Sequence, residues 1–271
     1  MRADGNSNIP AGTQTLVRGM TIVEAVARGA ATLKDIGVAI GCTRSTTHRL
    51  IQSLVQAGFL CRDTKIGYGL GPRLVELGSL ARDRSPLLSV ALPHLHILAA
   101  KTQETVNISV VQGQEILYLE KIEGRHGNRM RSKVGCRMPL ALTAMGKALL
   151  LDSPESGWRE IYQANLDQLV RARSAIHNVL PWPDYHARMR GYVAEEITFD
   201  REENEPGIRC VAAPVRDADG RITAALSVSG PAPSMSDERM STLRFEVKEA
   251  AVAVSTGLGW SQRKGLGRYH H

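Results

Sequence analysis

The segment TLKDIGVAIGCTRSTTHRLIQSL, residues 32–54, decides the architecture of the N-terminal part of the chain. Leu33, Ile36 and Ile40 recur at helical spacing. Thr32 precedes them and Asp35 follows three residues on, an approximate capping box. Gly41 ends this helix. Cys42 to Thr47 open a second one, in which Thr47, Leu50, Ile51 and Leu54 keep the helical period to about Ala57, with Gly58 as C-cap. Two helices joined by a three-residue turn that begins with glycine, the second opening on small polar residues, suit insertion into a DNA major groove.

Working outward, Leu16, Met20, Val23 and Ala27 give an earlier helix that ends at residues 28–31. Downstream, Phe59 to Arg62 and Gly67 to Leu70 read as strands joined by Asp63-Thr64-Lys65, a hairpin turn. Three helices and a hairpin make a winged helix-turn-helix over residues 14–71. Residues 1–13, rich in Gly, Asn and Ala, read as a disordered arm. Residues 72–102 are helical in pattern, with breaks expected near Ser85-Pro86 and at Pro93, so residues 72–84 form a linker helix.

Local charge supports a DNA partner. Lys34, Arg44, Arg49, Arg62 and Lys65 stand against Asp35 and Asp63. On the second helix of the pair, Thr43, Arg44, Ser45, Thr46, Thr47, His48, Arg49 and Gln52 are candidates for base edges or phosphates. Lys34 lies on the helix before it, and Arg62 and Lys65 in the wing suit phosphate or minor-groove contact.

Residues 85–258 alternate strands with helices. Val106 to Val111 and Glu115 to Ile122 read as one hairpin, Val211 to Arg216 and Ile222 to Ser229 as another, around Asp217-Ala218-Asp219-Gly220. A helix starts near Gly146, and a closing helix runs from about Ser236 to Gly257, leaving a tail at 259–271. Hairpins plus helices give an α+β domain with an antiparallel sheet.

Composition fits an intracellular two-domain protein. The chain has 271 residues, 43% of them hydrophobic but only 4% aromatic, so Leu, Val, Ile and Ala must fill the cores. The formal charge of +7 suits a polyanionic partner. Cys42, Cys61, Cys136 and Cys210 form neither a C-x-x-C pair nor a zinc pattern, so a reduced, cytoplasmic protein without metal or cofactor is expected. No signal peptide or membrane span is evident. The basic run Lys121, Arg125, Arg129, Arg131, Lys133 and Arg137 reads as a solvated strand and loop or a subunit interface rather than a second nucleic-acid patch.

Longer motifs carry a family resemblance. Leu33-Lys34-Asp35-Ile36, Ser45 to Leu50, Gly58-Phe59-Leu60 and Tyr68-Gly69-Leu70-Gly71 are joined by Glu104-Thr105-Val106-Asn107, Val134 to Leu140, Thr143 to Ala148, Glu202 to Val215 and Ala225 to Pro231. In this order they resemble the IclR family of transcriptional regulators, from about Leu16 to Gly257. The resemblance implies a GAF-like C-terminal effector domain, homodimers or dimers of dimers on palindromic double-stranded operators, and a small metabolite effector, most members being repressors.

The resemblance also places the effector over the sheet near the helix start at Ala144, Met145 and Gly146. Three free N–H groups there would favour a carboxylate or phosphate. Ser227 and Ser229, two apart on a strand, share one face. Cys210 meets the same cavity, Asp200 matches a ligand contact, and Met130, Met138 and Ile208 match apolar wall positions. This set suits a small organic acid bearing a hydroxyl or keto group. Ala141 departs from the family's usual His, and Cys136 from a usual small residue. Other readings remain: activation of a catabolic operon, a redox sensor using Cys136 and Cys210, or an enzyme with Cys210 as nucleophile, for which no histidine motif is present.

Overall fold

The computed structural model describes residues 12–125, 130–172 and 178–261. The arm at 1–11, the tail from 262, His126, Arg129 and His177 lie outside the described residues. The chain divides after Arg84 into two compact units.

In the first unit, α1 (Gln14–Ala27), α2 (Leu33–Ile40) and α3 (Arg44–Gln56) precede the hairpin β1 (Leu60–Asp63) and β2 (Gly67–Leu70), with α4 (Arg73–Asp83) last. Ile22, Val26, Ile36, Ile51 and Leu60 meet in one core, contributed by three helices and the wing. The capping box forms: Thr32 Oγ1 accepts from Asp35 N at 3.2 Å and donates to Asp35 Oδ2 at 2.6 Å. Gly41 takes the left-handed conformation (φ +61°) that closes α2. Thr43 caps α3 by accepting from Thr46 N. The wing is fixed to the body because Tyr68 N donates to Ala31 O at 2.9 Å.

In the second unit, α5 (Pro86–Thr102) is followed by β3 (Thr105–Gln112), β4 (Glu115–Ile122), β5 (Arg137–Pro139), α6 (Ala144–Leu149), α7 (Glu155–Arg171), α8 (Trp182–Glu195), β6 (Thr198–Arg201), β7 (Ile208–Arg216), β8 (Ile222–Pro231) and α9 (Asp237–Gly257). The strands form one antiparallel sheet, ordered β5-β4-β3-β8-β7-β6. Strand alternation sorts its two faces. Val106, Ile108, Val211, Ala213, Leu226 and Val228 pack with α5 and α9. The opposite face, including Ala212 and Ala225, packs with α6, α7 and α8.

Two expectations are corrected here. Pro93 does not break a helix, since α5 runs through it. Leu88, Ala91, Leu95, Leu98 and Thr102 face the core, whereas Pro93 is exposed, so the carbonyl that loses its donor is on the side where water replaces it. The second is an omission: local sequence pattern assigns no element to residues 153–196, yet α7 and α8 occupy most of the stretch. Trp158, Tyr162 and Asn165, then Tyr185, Met189 and Tyr192, carry the buried helical spacing.

Candidate functional site: reading head and cavity

The reading head presents most of its predicted residues to solvent. Lys34, Thr43, Arg44, Ser45, His48, Arg49, Gln52, Arg62 and Lys65 are exposed and Thr46 is half-buried. Among the described residues, none of the cations Lys34, Arg44, Arg49, Arg62 and Lys65 is held in an ion pair, so their charge is available to phosphates. Thr47 is different. It is fully buried, its Oγ1 donates to Thr43 O at 2.9 Å, and that same atom limits the approach of Gly37 on α2. Thr47 is therefore packed into the α2–α3 contact, a correction to its reading as part of the exposed face. In the wing, Asp63 Oδ1 accepts from the N–H groups of Lys65 (2.7 Å) and Ile66 (3.0 Å). Those bonds hold the Asp63 carboxyl below its usual range and shape the turn that carries Lys65.

The second unit holds a partly open cavity of about 390 Å³, counted together with the solvent at its mouth. Strand register builds its sheet wall. Asp200 pairs Cys210, and Cys210 pairs Ser229, so three residues remote in sequence stand in one row. Ser227 stands beside them, paired with Asn107 of β3. Asn107 Nδ2 donates to Ser229 Oγ at 3.2 Å and Ser227 Oγ at 3.5 Å, leaving the serine protons to be donated elsewhere. Met130, Met138 and Ile208 line the cavity as apolar walls, and Ala144 and Met145 line it from the start of α6.

Gly146 is the exception among the predicted cavity residues. Its N–H is taken by Thr143 Oγ1 at 3.0 Å, and it does not line the cavity. A Cβ at Gly146 would run into Leu140 O, so the glycine is required for close packing. The N–H groups of Ala144 and Met145, at the first two positions of α6, have no carbonyl one turn back within the helix. Ala141 also lines no part of the cavity. It packs in the apolar cluster with Met145, Trp158 and Tyr185, and its N–H donates to Asn165 Oδ1 at 2.8 Å.

Sequence reasoning missed Tyr118, Ser132, Thr143, Asn204 and Glu205 as lining residues. Thr143, Asn204 and Glu205 fall within the quoted motifs, but no local pattern points any of the five to a cavity, because β4 and three separate loops bring them together. It also missed the charge beneath the cavity. Lys147 is fully buried on α6; its ammonium donates to Phe199 O at 2.9 Å and to Glu203 Oε2. Asp200 is buried too, and its Oδ1 accepts from the N–H groups of Glu203 (2.8 Å) and Asn204 (3.4 Å). Burial pushes the Asp200 carboxyl up to about 7 against the attraction of Lys147, and pushes Lys147 down to about 8. Cys210 is likewise shifted up by burial and by Asp200, so its thiol stays protonated and is a poor nucleophile or redox centre. The basic run contributes no free patch around Lys121, whose Nζ donates to Ser132 O and pairs with Glu123, both at 2.9 Å.

Comparison with known proteins agrees with both halves. Residues 80–256 match the family described as "Bacterial transcriptional regulator IclR C-terminal", and residues 15–64 match "IclR helix-turn-helix domain". The chain is 32% identical over 266 residues to the "DNA-binding transcriptional repressor YiaJ" of Escherichia coli, covering 95% of this chain and 92% of that one. It is 31% identical to the "HTH-type transcriptional regulator XynR" of the same organism, covering 91% and 98%. Among solved structures, an IclR homolog of Microbacterium hydrocarbonoxydans complexed with 4-hydroxybenzoate superposes with a TM-score of 0.70 at 27% identity, covering 90% of this chain and 98% of that one. Among the described residues, no helix is long and apolar enough to cross a membrane.

Proposed function

Because this chain belongs to the IclR family of transcriptional regulators, with a DNA-binding helix-turn-helix and a ligand-binding C-terminal domain and no enzymatic role, we propose that it is a cytoplasmic repressor released from its operator by a small organic acid. One observation carries the reading. The cavity pairs hydrogen-bond donors with a buried carboxylate: Ser227, Ser229 and the N–H groups of Ala144 and Met145 receive an acid group, and Asp200 accepts from a hydroxyl. The repressor sign follows the relatives named as repressors. The half-buried Cys210, whose thiol is shifted up, disfavours the redox alternative. The DNA contacts are the exposed residues of α3 and the wing, Arg44, Ser45, His48, Arg49, Gln52, Arg62 and Lys65, with Lys34 on α2.

Self-association on a palindrome is supported by apolar side chains that the first unit leaves in solvent. Leu16 and Met20 on α1 are 62% and 60% exposed, and Val75 and Leu80 on α4 are 74% and 47% exposed. Effector binding then acts as a coupling free energy on the paired reading heads, of the order of a 5–150-fold change in operator affinity. Gel-shift assays on the intergenic DNA flanking the gene, with and without organic acids, test this. Specific binding weakened by an acid in the wild type but not in Asp200→Asn is expected. Absence of any specific site, or release unaffected by Asp200→Asn, refutes the reading.

A further inference from the structure

Among the described residues, the cavity lining contains one buried side-chain polar atom without a partner. Ser132 lies on the connection between β4 and β5, lines the cavity and is buried, yet its Oγ has no hydrogen-bond partner among the described residues. Buried hydroxyls are nearly always paired, and one that faces an open cavity can take its partner from the cavity's occupant. The backbone around Ser132 is anchored twice. Lys121 Nζ donates to Ser132 O at 2.9 Å, and Arg131 N donates to both Glu205 carboxylate oxygens, at 3.1 and 3.3 Å. The hydroxyl is therefore held at the cavity surface, and Glu205 lines the same wall.

We propose that Ser132 is a ligand-binding residue, and that Ser132 and Glu205 form a second polar pole selecting a monocarboxylic acid that carries further hydroxyl groups. This rests on reading the cavity as the effector site. The sheet wall, with Ser227, Ser229 and the start of α6, supplies donors for one carboxylate. The loop wall supplies a hydroxyl that both donates and accepts, and a carboxylate that only accepts. Alcohol groups on the ligand satisfy both. A plain acid leaves Ser132 unpaired and gains nothing there. A second carboxylate meets the like charge of Glu205, which opposes it.

Calorimetric titration of the full chain tests the proposal with glycerate, erythronate and gluconate, their unsubstituted counterparts propanoate, butanoate and hexanoate, and the dicarboxylate tartrate. At least one hydroxylated acid is expected to bind roughly tenfold or more tighter than its unsubstituted counterpart and than tartrate, from two or more added hydrogen bonds. For that acid, Ser132→Ala weakens binding roughly three- to tenfold and Ser132→Thr retains most of it, as one hydrogen bond predicts. Without ligand, Ser132→Ala melts at or above the wild-type temperature, because it removes only an unpaired atom; a lower melting temperature would mean that the hydroxyl is structural and overturns the proposal. Binding unchanged by Ser132→Ala but lost in Asp200→Asn overturns the proposal while leaving the effector reading intact. No binding by any of the seven acids, or binding indifferent to both substitutions, overturns both.

Discussion

Gly146→Ala sets two effects of opposite sign against each other. Alanine is the better helix former, by about 1 kcal/mol at an unconstrained helical position. At Gly146 the new methyl would sit 2.6 Å from the Leu140 carbonyl carbon and 2.7 Å from Thr143 Oγ1, and closer still to Leu140 O. Carbon does not approach such atoms within 3.0 Å, so α6 must shift away from the turn that precedes it. All six α6 residues are buried, and Thr198 Oγ1 holds the helix by donating to Ala144 O at 2.7 Å, so the shift is resisted. Overpacking of this kind destabilises by about 1–3 kcal/mol, and loss of the Thr143 cap adds about 0.5–2 kcal/mol. The net expectation is a loss of about 0.5–4 kcal/mol, or roughly 1–16 °C in the Tm of the second unit. Gly191→Ala is the control. It lies on the exposed side of α8 with nothing within 4 Å of its Cβ, so only the propensity gain remains and Tm should rise. Differential scanning calorimetry of both variants decides the matter. A Gly146→Ala protein as stable as the wild type, with weakened effector binding alone, would refute the packing role and restore the residue as a ligand contact.

Three other outcomes are expected. Asp200→Asn keeps the acceptor for the N–H groups of Glu203 and Asn204 but removes the ionisable group. The folded-state pKa is raised, so the wild type loses stability as pH climbs from about 4 through 7, and the variant's advantage should grow over that window; a gap independent of pH in thermal melts would count against it. Thr47→Val should lower the first unit's stability by about 1 kcal/mol through loss of its bond to Thr43 O, whereas Ser45→Ala and Gln52→Ala should leave Tm unchanged and weaken operator binding; the reverse pattern would put Thr47 on the DNA surface. Lys65→Ala should reduce the slope of log affinity against log salt by about 1 with little change in sequence preference, and an unchanged slope removes the phosphate contact.

The reading head was legible from the sequence because its determinants are local. A capping box, a left-handed glycine and the period of Ile36 and Ile51 each act within one or two turns of helix. The same holds for the strands Glu115–Ile122 and Gly67–Leu70, whose alternation and flanking glycines fix their limits. Thr47 shows where local reasoning stops. A threonine on a recognition helix points either to DNA or to the neighbouring helix, and only the α2–α3 crossing, with Gly37 against its hydroxyl, settles which. The cavity depends on tertiary structure still more. Motif resemblance picked out Asp200, Cys210, Ser227 and Ser229, but antiparallel register is what makes a row of Asp200, Cys210 and Ser229. Ser132 carries no pattern of its own in the chain, and the motifs that contain Glu205 and Lys147 do not say where those side chains go. Their burial, their partners and the one hydroxyl left without a partner arise when strands and loops distant in sequence close over the same space, because burial and desolvation belong to the packed chain and not to any segment of it.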